Sequence, residues 1–110
     1  MAEMIQRDQI SASGHFMVGG CDCLDLAATY GTPVIAYDVS RIRRNYRAFR
    51  QAFEKTKIRS VISYASKAFS CKAVYNLIDQ EGGHVDVVSG GELATALAAG
   101  FPPERISFHG

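Results

Sequence analysis

The sequence predicts an α/β fold with parallel strands and crossover helices, and three observations predict it. From residue 58 onward, short β-rich segments alternate with segments that repeat apolar residues at helical spacing. Glycines follow both helical segments, at Gly82-Gly83 and at Gly100, where a helix commonly ends. Each strand segment has one apolar face and one face of small or polar residues. Such alternation is typical of a parallel sheet covered by helices.

The composition fits one small domain of 110 residues, 47% of them hydrophobic. Twelve Lys and Arg against 11 Asp and Glu give a net charge of +1, which points to no nucleic-acid partner. The cysteines (Cys21, Cys23 and Cys71) are odd in number, and no stretch has the pattern of a signal peptide or a membrane span. We therefore expect a soluble, cytoplasmic protein with reduced thiols and no membrane partner. Cys21 and Cys23 lack the second ligand pair of structural zinc, so no metal site is predicted.

The N-terminal part of the chain predicts a strand, a helix and a second strand. The first strand covers 15–18 and the helix covers 21–31, ending at Gly31. Residues 33–39 predict the second strand, and Ser40 is placed to cap a long helix. One face of this helix is apolar and is expected to be core: Ile42, Tyr46, Phe49 and Phe53. The other face is arginine-rich, and a solvated face explains it better than a phosphate-binding stripe: Arg41, Arg43, Arg44, Arg47 and Arg50.

Three more strands and two more helices are predicted in the rest of the chain. The strands cover 58–66, 84–89 and 105–109, and the helices cover 70–83 and 90–100. Ser89 and Glu92 have the spacing of a capping box, in which Glu92 reaches back to the N–H of Ser89. This cap also accounts for the bare glycines that follow Ser89, which would otherwise suit a phosphate.

Lys67 lies where a strand gives way to a helix start, within the stretch "SYASKAFS". In a (β/α)₈ barrel the mixed strand faces point inward and the C-terminal ends of the strands carry the chemistry, which brings Lys67, Asp86 and His109 toward one end. A lysine desolvated among small neighbours can attack a carbonyl to form a Schiff base, as with pyridoxal phosphate. The alternative is an ordinary surface lysine in a turn. Asp86, on a buried strand, needs a partner, and Lys67 or His109 can supply one.

Three stretches in this order, "YGTPVIAYD", "YASKAFSCKAV" and "DVVSGGELATALAAGFPPERISFHG", resemble the N-terminal part of the diaminopimelate decarboxylase family. These are pyridoxal-phosphate enzymes with an alanine-racemase-like barrel. The resemblance implies the first three βα units of a (β/α)₈ barrel over 40–110, preceded over 14–39 by a strand-helix-strand segment of the accessory β-domain. Residues 1–13 are expected to be a flexible N-terminus.

The resemblance also implies chemistry. Lys67 matches the lysine that holds pyridoxal 5'-phosphate, and Asp86 and His109 match positions near the cofactor. The implied reaction converts meso-2,6-diaminopimelate to L-lysine and carbon dioxide in a homodimer. The phosphate site and the partner-subunit residues lie later in the family's chain, so residues 1–110 alone are expected to be inactive. Two alternatives remain: a related ornithine or arginine decarboxylase or alanine racemase, and a non-catalytic small α/β binding domain.

Overall fold

The structure is a computed structural model that describes residues 9–110. The described chain divides into two compact units, one up to Ile42 and one from Arg43 to Gly110. Across these residues, none of the helices has the length and apolar character needed to cross a membrane. The regular elements, in chain order, are β1 Met17–Val18, β2 Cys21–Asp22, α1 Cys23–Tyr30, α2 Val39–Glu54, β3 Ser63–Ala65, α3 Lys72–Gln80, β4 His84–Val87, α4 Gly90–Ala98 and β5 Ile106–Phe108.

The first unit begins with a β-hairpin that leads into α1. Gly19 and Gly20, at φ 57° and 81°, form the turn between the antiparallel strands β1 and β2. The prediction that residues 21 and 22 belong to the helix is therefore wrong. α1 begins after Asp22, whose side chain accepts a hydrogen bond from the N–H of Leu24 at 2.8 Å. This bond and the neighbouring His15 ring lower the pKa of Asp22.

The segment between α1 and α2 does not form the strand predicted over 33–39. Residues 31–38 have no regular structure, because no strand of the described chain lies alongside to complete the hydrogen bonds of a ladder. α2 begins at Val39, so Ser40 lies inside the helix and is not its cap. Asp38 takes that role, since its Oδ1 accepts from the N–H of Arg41 at 3.0 Å. Of the N-terminal residues 1–13, expected to be flexible, 1–8 lie outside the described residues.

The second unit contains a three-stranded parallel sheet in the order β3-β4-β5, as the alternating pattern predicts. The strands are shorter than predicted, and residues 58–62 precede β3 without regular structure. Gly82 and Gly100 follow α3 and α4 with φ of 73° and 77°, a conformation that residues with a Cβ rarely adopt. The predicted parallel strands joined by crossover helices are confirmed for this unit.

The core of the second unit lies on one face of the sheet. Val85 and Val87 on β4 are fully buried and belong to one cluster with residues of α3 and α4. Tyr75 contacts Phe101 edge-on, with ring centroids 6.2 Å apart. Tyr46 of α2 packs against this cluster, but Phe49 and Phe53 are 63% and 42% exposed. The prediction that these two phenylalanines are core is wrong for the described chain, since the cluster meets α2 only around Tyr46.

Three arginines of α2 bind Glu81, which the prediction of a solvated face does not include, although Arg47 and Arg50 remain 52% and 44% exposed. Arg43 and Arg47 hold the Glu81 carboxylate through nitrogen–oxygen contacts of 2.6 to 2.9 Å, and Arg50 donates to the Glu81 carbonyl at 3.3 Å. The Glu81 side chain is only 4% exposed. Hydrogen bonds from Arg47 and Arg43 lower the pKa of Glu81 to about 2. These hydrogen bonds therefore join the arginine face of α2 to the residue that follows α3.

Candidate active site

Lys67 lies just beyond the C-terminal end of β3, on a short 3₁₀ helix formed by Ser66–Ala68. Its side chain is exposed, and no hydrogen bond or ion pair joins it to another described residue. The preceding residue, Ser66, is fully buried. Because Ser66 points into the protein, the 3₁₀ helix is anchored while the next side chain projects outward. The structure thus presents a primary amine at the strand end, where the sequence predicts it.

Asp86 lies in the middle of the sheet face that α3 and α4 do not cover. In the parallel register it stands between Ala65 of β3 and Ser107 of β5. Its Oδ1 accepts a hydrogen bond from the Ser63 hydroxyl at 2.9 Å and lies 3.7 Å from Nε2 of His109. Of the two partners that the sequence offers for Asp86, the structure brings His109 close and not Lys67.

His109 follows β5 directly. Its backbone N–H donates to the carbonyl of Val87 at 2.8 Å, which extends the parallel ladder past the end of the strand and fixes the position of the residue. The imidazole itself is 66% exposed. Lys67 and His109 therefore follow the two outer strands at the same end of the sheet, and Asp86 lies on the strand between them.

Ser63 is the residue of this group that sequence reasoning missed. The alternation of side chains along the strand already places Ser63 on the same face as Asp86. It does not reveal that the two residues touch, because strand pairing sets Ser63 against His84 and the contact with Asp86 is diagonal.

The start of α4 is capped in a slightly different way from the predicted capping box. The Ser89 hydroxyl accepts from the N–H of Glu92 at 3.1 Å, as predicted. The Glu92 carboxylate accepts from the N–H of Val88 at 2.8 Å, one residue before the predicted donor. The reciprocal pair of bonds is kept, because Glu92 satisfies a neighbouring orphan N–H.

A concavity near the sheet lies away from these residues. A cleft of about 520 Å³ opens at the N-terminal ends of the strands, where Arg59, Ile62 and His84 are among its lining residues. It does not include Lys67, Asp86 or His109. In the described part of the chain, no three His, Cys, Asp or Glu side chains are grouped so that they could hold a metal ion.

The residues at the C-terminal end of the sheet fit an aldehyde cofactor. An exposed primary amine can bond covalently to the aldehyde, while a carboxylate and an imidazole stand on the same side as hydrogen-bonding groups. The sheet face around Asp86 carries the small residues Ser63, Ala65 and Ser107, which leave room above it. The donor set and the open face are both suited to a flat, polar ring.

A comparison with known families decides what kind of domain this is. Residues 39–110 match the profile of the pyridoxal-dependent decarboxylases, in the part described as the pyridoxal binding domain. The chain belongs to the pyridoxal-dependent decarboxylase family. Pyridoxal phosphate is therefore the cofactor of this domain, and all three candidate residues lie within the matched range.

Relatives within this family are similar over nearly the whole chain. The diaminopimelate decarboxylase of Bacillus subtilis (strain 168) is 55% identical over 97 residues, covering 88% of this chain and 22% of that protein. The diaminopimelate decarboxylase of Methanothermobacter thermautotrophicus is 43% identical over 102 residues, covering 93% of this chain and 24% of that protein. The chain thus spans about a quarter of the length of the curated relatives it matches.

Solved structures agree with this assignment. The crystal structure of diaminopimelate decarboxylase from M. jannaschii superposes with a TM-score of 0.78 at 34% identity, covering 94% of this chain and 25% of that one. A second structure of that enzyme, in complex with L-lysine, gives a TM-score of 0.78 at 32% identity over 96% of this chain and 25% of that one. The fold of the described residues is therefore the fold of the corresponding part of these enzymes.

Proposed function

We propose that the protein carrying this chain is a pyridoxal-phosphate-dependent lyase that converts meso-2,6-diaminopimelate to L-lysine and carbon dioxide. The observation that carries the proposal is the exposed amine of Lys67 at the end of β3, in a domain of the pyridoxal-dependent decarboxylase family. The relatives named diaminopimelate decarboxylase support the substrate. The M. jannaschii enzyme whose structure was solved with L-lysine supports the product.

Each of the three candidate residues has a role in this proposal. Lys67 would hold the cofactor covalently through its side-chain nitrogen. When bound, pyridoxal phosphate supplies an electron sink for the bond that breaks on loss of carbon dioxide. Asp86, on the open sheet face, and His109, directly after β5, would hold the cofactor through hydrogen bonds and orient it.

The arrangement of the wider protein is part of the same proposal. Residues 40–110 are the start of the pyridoxal-binding barrel, and residues 14–39 belong to the accessory β-domain. The hairpin of β1 and β2 belongs to the unit that ends at Ile42, which supports a boundary near residue 40. We also propose a cytoplasmic homodimer. The three free cysteines, Cys21, Cys23 and Cys71, are compatible with a reducing compartment.

Reductive labelling tests the role of Lys67. The full-length protein is mixed with a low excess of pyridoxal phosphate and reduced with borohydride, and the modified peptide is mapped by mass spectrometry. We expect one label, on Lys67, and none after Lys67→Arg. Lys72, the first residue of α3, is the matched control, so Lys72→Arg should leave the labelling of Lys67 unchanged. Labels scattered over Lys55, Lys57, Lys67 and Lys72 would contradict the proposal and favour a domain that binds no cofactor.

A second measurement tests the substrate. Carbon dioxide release by the full-length, cofactor-loaded protein is compared for meso-diaminopimelate, ornithine and arginine. The proposal predicts release from meso-diaminopimelate with L-lysine as the product. Faster release from ornithine or arginine would assign the protein to another decarboxylase of the same family.

A further inference from the structure

The Asp86 carboxylate has two neighbours that approach the same oxygen atom. The Ser63 hydroxyl donates to Oδ1 at 2.9 Å, within the normal range of a hydrogen bond. The Nε2 atom of His109 lies 3.7 Å from that same Oδ1, beyond the range of a hydrogen bond. Asp86 is thus bonded to β3 while it stands next to His109 without bonding to it.

The Ser63 hydroxyl bonds to Asp86 because the residue of β3 that lies directly opposite Asp86 is the small, apolar Ala65. The register sets Ala65 directly against Asp86 and sets Ser63 against His84. Ala65 has no polar group to offer, so the hydrogen bond comes diagonally from Ser63, which lies nearer the N-terminal end of the sheet. The bond therefore draws the carboxylate back from the end of the sheet where Lys67 and His109 stand.

We propose that Ser63 is a positioning residue, which keeps Asp86 from closing onto His109 and so leaves the imidazole free to contact the cofactor. The inference rests on the proposed function, because it assigns Ser63 a task in the same cofactor site. Without the Ser63 hydroxyl, Oδ1 loses its donor, and Nε2 of the 66% exposed His109 imidazole, 3.7 Å away, can move in to replace it. Asp86 and His109 then form a pair with each other, and both contacts to the cofactor weaken.

Ser107 offers a matched control on the other side of Asp86. It stands directly against Asp86 in the register of β4 and β5, on the same sheet face, and its exposed side chain makes no hydrogen bond with another described residue. Ser107→Ala and Ser63→Ala thus each remove one serine hydroxyl, and the two hydroxyls lie on opposite sides of the carboxylate. Ser63→Thr keeps the hydroxyl and suits a strand, so it serves as the conservative rescue.

The first measurement needs no cofactor. The full-length protein is labelled isotopically at histidine, and the ring resonances of His109 are followed by NMR. Ser63→Ala should shift them, whereas Ser107→Ala and Ser63→Thr should not. In the Asp86→Asn background the shift caused by Ser63→Ala should disappear, because the carboxylate that pairs with the ring is gone. Unchanged His109 resonances in Ser63→Ala would overturn the inference, and so would an equal shift in Ser107→Ala.

The second measurement is the dissociation constant of pyridoxal phosphate for the same variants, read from the cofactor's absorbance. We expect Ser63→Ala to weaken binding by about fivefold, the size of one lost hydrogen bond, and Ser63→Thr to restore it. If wild-type protein is labelled at Lys67 but Ser63→Ala binds the cofactor equally well, the inference fails and the proposed function stands. If wild-type protein is not labelled at Lys67, the proposed function fails, and the role proposed for Ser63 fails as well.

Discussion

Arg47 donates two hydrogen bonds to the Glu81 carboxylate, from Nε to Oε2 at 2.9 Å and from Nη2 to Oε1 at 2.8 Å. Arg47 lies on α2 and Glu81 directly follows α3, and the planar guanidinium matches the carboxylate as a fork. Arg43 adds a third bond to Oε1 at 2.6 Å. A carboxylate that is buried and held in this way contributes to stability only while it is charged.

Glu81→Gln should destabilise the second unit, because it leaves two arginines facing a neutral amide. We expect a loss of about 3 kcal/mol in the free energy of unfolding at pH 7, measured by urea denaturation. Glu54→Gln is the control. Glu54 is 65% exposed and lies 3.7 Å from Arg50, so its loss should cost no more than about 0.5 kcal/mol. Equal effects of the two substitutions would contradict a special role for Glu81.

The contribution of Glu81 should also depend on pH. Its pKa is lower in the folded protein, at about 2, than its ordinary value of 4.5, so folding favours the charged form. The stabilisation is complete above the ordinary value and is lost as the pH falls toward the folded value. The difference in unfolding free energy between wild-type and Glu81→Gln should therefore shrink below pH 4.5. A difference that stays constant down to pH 3 would rule out this linkage.

Gly83→Ala should be destabilising for a steric reason. A Cβ atom at this position would lie 2.8 Å from Cγ2 of Ile78 and 3.0 Å from the Tyr46 ring, where little can move. Overpacking of this kind costs about 1 to 3 kcal/mol, which thermal or urea unfolding would detect. Gly90→Ala is the matched control, since a Cβ there meets nothing within 4 Å and alanine favours the start of α4. A neutral Gly83→Ala would show that the packing around Tyr46 is loose.

Ser66→Ala should stabilise the protein. The Ser66 hydroxyl is fully buried and has no hydrogen-bond partner among the described residues. Removing a buried polar group without a partner recovers its desolvation cost, about 1 kcal/mol. Ser70→Ala provides the contrast, because the Ser70 hydroxyl lies 3.0 Å from the Tyr75 hydroxyl and its loss should be destabilising. A lower urea midpoint for Ser66→Ala would mean that the hydroxyl has a partner in solution.

Arg105→Lys should cost stability although the charge is kept. Arg105 donates to the Gly83 carbonyl at 2.8 Å, pairs with Asp79 and lies 5.1 Å from the centre of the Phe101 ring. A lysine cannot make these contacts together, so we expect a loss of about 1 to 2 kcal/mol in urea unfolding. Arg44→Lys, at an exposed position of α2, is the control and should have almost no effect. Equal stability of the two variants would show that charge alone matters at residue 105.

The sheet was predictable from the sequence because the cues are local. Alternating side chains fix the two faces of a strand, and Gly82 and Gly100 mark the helix ends. What the sequence could not show depends on distant partners. Residues 33–39 have a β-rich composition but no neighbouring strand among the described residues, and composition alone does not make a ladder.

The candidate site was predictable to a similar degree. The strand ends placed Lys67, Asp86 and His109 at one end of the sheet, and the resemblance to a known family supplied the chemistry. The hydrogen bond between Ser63 and Asp86 depends on the register of two strands, which side-chain alternation does not set within a face. The arginines of α2 could not be assigned to Glu81 because this partner lies more than thirty residues away in sequence, directly after α3.

The order of the strands in the sheet also bears on how the chain reaches its fold during synthesis. β4 pairs with β3, which precedes it, and β5 pairs in turn with β4. Each strand therefore pairs with a strand that has already been synthesised. Only one crossover separates the strands of each pair, which keeps the loop that closes between them short. On the ribosome, the sheet can grow one strand at a time at a single advancing edge, without waiting for distant parts of the chain. The residues that meet around Asp86 would then be assembled in the order Ser63, Asp86, His109.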